Sequence, residues 1–312
     1  MKIIDVNENF KIDKNTILAL GNFDGIHKGH RFLIDNVREL AKKNNFYSGI
    51  LLFNSHTLDS LHPELRLPKL TDIQDKIDII SDMNIDYVFL LDFKKISNFT
   101  PEEFIFLLKN EFNCKGVVVG SDYKFGKGAK GNILTLKDIA EKEDIFVKVI
   151  DDVTDNSVYV KSTVIREEIR NGNIKEANKL LSRNYFIKGI VVHGEKRGRE
   201  LGYPTANIYN DFNYILPKEG VYYTKTTIIS KDNNKQYDSL SFIGQNITFN
   251  EFEQKIETYL FDFAGYLYGD TIKIEFIDFI RNNEKFDSKE SLILQMNKDV
   301  EFVKDYNNNL HF

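Results

Sequence analysis

Cysteine is almost absent: the 312-residue chain has one, Cys114. A lone thiol forms no internal disulfide and supplies no thiolate cage for a metal, and a reducing cytosol suits it best. Proline and glycine are sparse, at 5 and 18 residues, which excludes collagen-like and linker-dominated chains. Excess positive charge is missing too. Lys and Arg number 42 against 47 Asp and Glu, and a formal net charge of −5 argues against wholesale binding of nucleic acid or membrane. No apolar run approaches the roughly twenty residues of a membrane span. Asp5, Asn7, Glu8, Lys11, Asp13 and Lys14 punctuate the first stretch and leave no signal-peptide core. What is present, 42% hydrophobic and 29% charged residues at about twice the commonest domain length, suits a globular chain with real cores. The expectation is a cytoplasmic, soluble, two-domain protein.

Up to about residue 150, continuous apolar runs alternate with amphipathic segments. The runs 17–20, 50–53, 87–91 and 117–119 read as strands covered on both faces, hence a parallel sheet. Leu33, Val37 and Leu40, and Ile73, Ile77 and Ile80, fall at helical spacing. Thr100-Pro101-Glu102-Glu103 is a helix start, with a cap, a proline at the first position and an acid at the third. The alternation predicts an α/β fold with a doubly wound parallel sheet. Two helical stretches over 162–183 follow, broken at Asn171-Gly172-Asn173. Beyond them the period becomes that of strands, over 185–192, 221–229, 235–243, 256–263 and 272–276, and only 288–306 returns to helical spacing. This half predicts a small antiparallel β-barrel closed by a terminal helix, with domains over 1–183 and 184–312.

Residues 21–30, GNFDGIHKGH, join the first apolar strand to the Leu33/Val37/Leu40 helix. Gly21, Gly25 and Gly29 permit close backbone approach to a ligand, and the free N–H groups of a helix start favour anions. His27 and His30, three apart, project near that same end. Such a turn can hold a triphosphate and stabilise charge building at one phosphorus. Zinc ligation by the pair is not expected, because neither cysteine nor a third histidine completes a tetrahedral set. Asp24 either orders the turn or contacts a nucleotide. Further on, hydroxyls of Ser162 and Thr163 with Arg166 enter a helix in a way that suits phosphate oxygens. In the second half, 193–207 interleaves Gly194, Gly198 and Gly202 with Lys196, Arg197 and Arg199, a cationic loop able to fold over phosphates. Thr205 and Asn207, two apart on an extended stretch, offer oxygen ligands on one side for Mg²⁺ carried by a nucleotide.

The 21–30 segment resembles the signature of the HxGH nucleotidyltransferases, in the form found in prokaryotic bifunctional riboflavin kinase/FMN adenylyltransferases (FAD synthetases). Residues 119–128 are similar to that family's Gly-x-Asp-Phe-x-Phe-Gly segment, with Tyr123 for Phe, and 162–166 to its Ser-Ser-Thr-x-Ile-Arg block, with Lys161 for the first serine. The 204–207 run matches the riboflavin kinase Pro-Thr-Ala-Asn residue for residue, and 220–222 its Gly-Val-Tyr. The chain departs at 53–57, which lacks the prolines of Phe-x-Pro-His-Pro though His56 remains, and at Tyr259, where His is usual. In the block 241–249, Gly244, Thr248 and Phe249 persist while Asn, Arg and Pro are replaced.

The resemblance implies a Rossmann-like first domain that adenylylates FMN with ATP, giving FAD and pyrophosphate, and a barrel that phosphorylates riboflavin with ATP. It implies catalytic roles for His27, His30 and Arg166 in the first site and for Glu257, as general base, in the second. Nucleotide or phosphate contacts fall on Gly21, Phe23, Asp24, Gly25, Gly29, Ser162, Thr163, Gly194, Lys196, Arg197, Gly198, Arg199 and Pro204. Flavin or nucleotide contacts fall on Asp122, Phe125, Gly126 and Tyr222, and Mg²⁺ with ATP on Thr205 and Asn207. Neither nucleic acid nor membrane is an expected partner. The substituted 241–249 block leaves a second reading, a single-activity adenylyltransferase whose barrel only binds flavin.

Overall fold

A computed structural model describes residues 1–6, 10–54, 68–156, 158–194, 198, 201–230, 234–245 and 254–309. It divides into two compact units, Met1–Val164 and Ile165–Phe312. By packing, then, the helical segment after Ile165 sides with the second unit, whereas the sequence reading draws its functional boundary at 183/184.

In the first unit, β1 (Lys2–Asp5), β2 (Thr16–Leu20), β3 (Tyr47–Phe53), β4 (Tyr87–Leu91), β5 (Cys114–Gly120) and β6 (Phe146–Ile150) form one sheet in the order β1-β4-β3-β2-β5-β6. Every neighbouring pair is parallel. The continuous apolar runs now have their reason. Leu18 and Leu20 pack into one core with Leu51, Phe89, Leu108 and Val117, and Ile17 and Ala19 into a second with Ile34, Val37, Ile50 and Val88. Alternate residues of one strand thus serve opposite faces, and neither face tolerates polarity. The helices are α1 (Lys28–Asn44), α2 (Ile73–Ser81), α3 (Phe93–Ile96), α4 (Pro101–Phe112) and α5 (Ile133–Lys142). The start read at Thr100 is a full capping box with Glu103 and with Pro101 in the first turn. Strand order reverses between β2 and β5, because β2 leads through α1 to β3 on one side while β5 flanks it on the other. The carboxyl ends of two such strands border the crevice where open α/β sheets bind ligands.

A short antiparallel pair, β7 (Thr154–Asp155) and β8 (Val158–Tyr159), leads into α6 (Ser162–Asn171), and α7 (Ile174–Leu181) follows. The second unit is a closed antiparallel barrel of β9 (Tyr185–Val192), β10 (Ala206–Tyr209), β11 (Gly220–Ile229), β12 (Lys235–Gln245), β13 (Gln254–Leu260) and β14 (Thr271–Arg281), in the order β10-β13-β12-β11-β14-β9. The terminal helix α8 (Lys289–Asn309) packs Val303 and Val300 against Val221, Tyr223 and Leu240 of the wall. Arg281 and Asp299 pin the helix through paired bonds of 3.0 and 2.9 Å. Inside the barrel, Tyr185 and Phe276 stack beside a chain of buried hydroxyls. Thr224 Oγ1 lies 2.8 Å from the hydroxyls of both Ser239 and Ser241, Thr226 Oγ1 2.7 Å from Ser239, and Ser241 donates to Thr258 at 2.9 Å.

Candidate functional site

The first site grows from the end of β2. Phe23 and Ile26 have left-handed φ angles of 49° and 41°, costly for side chains with a Cβ and most of all for a branched one. Both are fully buried, so packing holds the strained turn in place. Asp24 is buried as well. Its carboxylate accepts from the amides of Leu70 and Thr71 at 3.0 and 3.2 Å and from the Thr71 hydroxyl at 3.3 Å. The Thr71 hydroxyl in turn accepts from Gly25 N at 2.9 Å. These bonds tie the Asp24 carboxylate to the 70–71 segment, an arrangement that suits ordering the turn. Phe23 likewise offers a ligand only its backbone, since its ring belongs to the core.

His27 caps α1, its Nδ1 accepting from His30 N at 3.3 Å. The two imidazoles stack at 3.7 Å between centroids and 17° between planes, and the Phe23 ring lies tilted against that of His30 at 5.2 Å. Two imidazolium rings this close would repel, so the stack favours neutral rings. Burial, then His27, then Lys76 push the His30 pKa well below its ordinary 6.5. His30 Nδ1 is buried with no hydrogen-bond partner among the described residues. Gly29 sits in the first turn, where an added Cβ would come 3.3 Å from the His27 ring. Ser162 joins this site by donating from its hydroxyl to the Asp24 carbonyl at 2.8 Å, and Thr163 beside it is exposed. Arg166 lies one turn further along α6 and falls in the second compact unit.

At the end of β5, beside β2, Asp122 is exposed and Gly126 turns with φ 71° against Pro101. The Phe125 ring is buried between Phe104 and Tyr123 and closely backed by Gly131, so its side chain anchors the loop. Tyr222 is 0% exposed, its ring meets Phe276 and Phe279, and its hydroxyl donates to the Lys218 carbonyl.

Sequence reasoning missed Lys76. It is only 7% exposed, and its ammonium donates to the Asn22 carbonyl at 2.7 Å, directly under the signature turn. The signal was there, since Lys76 falls three after Ile73 and one before Ile77 on the apolar stripe of α2, where a lysine is out of place. Lys28, also in the motif, pairs with Asp155 of the β7–β8 hairpin.

The second site forms where β10 meets β13. Asn207 and Glu257 are register partners across the two strands, and Thr205 Oγ1 donates to Glu257 Oε2 at 2.9 Å. Having given its one proton to the carboxylate, the Thr205 oxygen keeps its lone pairs for a cation. Asn207 adds a carboxamide at the same strand end. The loop glycines have local reasons. A Cβ on Gly194 would reach within 2.2 Å of the Asn207 amide nitrogen, and one on Gly198 within 2.3 Å of the Tyr203 carbonyl. Pro204 is exposed, and Tyr203 packs edge-on against Tyr259 at 5.2 Å. Lys196, Arg197 and Arg199, with His56, Thr248 and Phe249, lie outside the described residues. Two neutral oxygens beside one carboxylate fit Mg²⁺ shared with phosphates, and no group of three His, Cys, Asp or Glu able to hold a metal occurs among the described residues.

Two family models match in the order of the two sites: FAD synthetase over residues 9–164 and riboflavin kinase over 181–307. The chain belongs to the bifunctional riboflavin kinase/FMN adenylyltransferase family. Members from Buchnera aphidicola (Schizaphis graminum) and Listeria monocytogenes are 37% and 34% identical, covering 99% and 92% of this chain and 99% and 91% of theirs. The crystal structure of a macrolide-efflux protein from Streptococcus pneumoniae matches with a TM-score of 0.84 at 32% identity, over 96% of this chain and 97% of that one. Its name describes an efflux protein. Among the described residues of this flavin-enzyme relative, no helix is long and apolar enough to cross a membrane.

Proposed function

We infer that the chain makes FAD from riboflavin in two ATP-dependent steps, each at its own site, in the cytoplasm. Adenylyl transfer belongs to residues up to about 183 and the kinase step to the rest. The observation that carries the reading is that both sets of motif residues come together in space: His27, His30 and Ser162 around the 21–25 turn, and Thr205, Asn207 and Glu257 at one strand end.

In the kinase step Glu257 takes the proton from the riboflavin 5′-hydroxyl, the hydroxyl oxygen bonds to the γ-phosphorus of ATP, and ADP leaves. The bond from Thr205 fixes the rotamer of the Glu257 carboxylate, so that its other oxygen faces the alcohol. Thr205 and Asn207 would hold Mg²⁺, which would neutralise phosphate charge. The loop that carries Lys196, Arg197 and Arg199 would cover the triphosphate, with Gly194, Gly198 and Pro204 shaping it.

In the adenylyl step an FMN phosphate oxygen attacks the α-phosphorus of a second ATP and pyrophosphate leaves. No proton has to be removed, so the work is alignment and charge stabilisation. Amides at the start of α1 and around Gly21 and Gly29 face the phosphates, while the Gly25 amide is spent on the Thr71 hydroxyl. Neutral His27 and His30 donate hydrogen bonds to oxygens that gain charge, and Ser162, Thr163 and Arg166 bind the departing end. Asp122 and Gly126, at the neighbouring strand end, border the flavin or the nucleotide.

Incubation with riboflavin, ATP and Mg²⁺, resolved over time, tests the reading. FMN should appear first and FAD with pyrophosphate after it. A chain that converts FMN to FAD but never riboflavin to FMN would instead be the single-activity adenylyltransferase with a flavin-binding barrel. The intact Thr205–Glu257 bond supports the two-activity reading.

A further inference from the structure

We propose that Lys76 is a positioning residue for adenylyl transfer, propping the 21–30 turn through the Asn22 carbonyl and setting a fixed cation beside the triphosphate seat. This rests on adenylyl transfer being the work of the first unit. Lysine is seldom buried, because removing its charge from water is costly unless something offsets it. Here the partner is a backbone carbonyl 2.7 Å away. That carbonyl belongs to the peptide leading into Phe23, the first left-handed residue of the turn, so the bond fixes the orientation of the plane from which the strained backbone departs. One N–H of the ammonium goes to Asn22. The other two suit phosphate oxygens.

The charged and titratable groups acting on Lys76 among the described residues are Asp24 in the turn, Lys69 and Asp72 before α2, and His30 on α1. Burial lowers the Lys76 pKa to about 8, Asp24 and Asp72 work to raise it, and Lys69 lowers it further. The cation therefore loses its proton within an accessible range, and a nearby phosphate would hold the proton on. Deprotonation separates the two contributions. A neutral amine can still donate to Asn22 O, so a mere prop survives high pH while the charge does not.

The experiment measures kcat/KM for ATP in FMN adenylylation from pH 6.5 to 9.5 on the full-length wild-type chain and on Lys76→Met, with riboflavin phosphorylation by the same preparations as a control sharing the ionisation of ATP. For the wild type, kcat/KM should fall at least fivefold between pH 7.5 and 9.5 relative to the kinase step, and kcat should fall less. K76M should lose at least 50-fold in kcat/KM at pH 7.5, lack the alkaline fall, and keep its kinase step within twofold. A wild-type profile that stays parallel to the kinase step overturns the inference, and needs no variant to fold. So does K76M turning FMN into FAD at the wild-type rate. A wild-type chain that makes no FAD overturns the reading underneath as well.

Discussion

At the scale of single residues, the two histidines and the one glutamate can be separated by their effects. His30→Ala should lower FMN adenylylation by about 10²–10³-fold, the size of one lost transition-state donor, and leave FMN formation from riboflavin unchanged. Glu257→Gln should do the reverse, lowering riboflavin phosphorylation by roughly 10²–10⁴-fold while FMN is still converted to FAD. Product analysis by chromatography checks both. His30 also gives the first unit an acid limit. Its pKa is held well below 6.5 in the fold but is ordinary in the unfolded chain, so as pH falls through about 6.5 only the unfolded state gains the proton. Stability should therefore drop below pH 6.5, and His30→Gln should flatten that drop in urea titrations followed at pH 5 and 7. The packing of Phe125 and Tyr222 was not legible in the sequence, because an aromatic within a motif reads alike whether it stacks on a ligand or backs the loop beside it. Lys76 was hidden for the opposite reason: a lysine in an amphipathic helix passes for surface unless its place on the stripe is checked.

At the scale of elements, the strands of the first sheet that were readable are the ones buried on both faces. β1 and β6 were not read, since they form the edges and carry polar or exposed positions such as Lys2, Asp5, Lys148 and Phe146. β10 was legible only as an extended stretch around Thr205 and Asn207, because four residues next to a glycine-rich loop give no period to count. The barrel strands were legible within a few residues, and the terminal helix too, because polar outer positions alternate with buried ones on β14. Helix starts carry testable energies. Thr100→Ala removes half of the capping box of α4 and should cost about 1 kcal/mol in denaturant unfolding without altering either rate, since the cap lies on an exposed helix end. Asp299→Ala should cost more, about 2 kcal/mol, by stripping Arg281 of charge-assisted bonds where α8 seals the wall.

At the scale of the whole molecule, a chain with two sites in two units implies that the product of one is the substrate of the other. An equimolar mixture of E257Q and H30A should therefore regain FAD synthesis from riboflavin, with a lag while FMN passes through solution, and each variant alone should not. Recovery with no lag would point to handover between bound molecules. The lone cysteine takes no part in any of this. Cys114 is buried, with its thiol pushed up to about 12 by burial, so thiol reagents should leave both rates intact.

The hydroxyls threaded through the barrel interior carry a lesson about divergence. Each of Thr224, Thr226, Ser239, Ser241 and Thr258 completes a neighbour's bonding, so replacing any one by an aliphatic residue strands another in a dry environment. Descendants of this chain can exchange that polar thread for hydrocarbon only through compensating double changes, and a lineage that has made the first must make the second or revert.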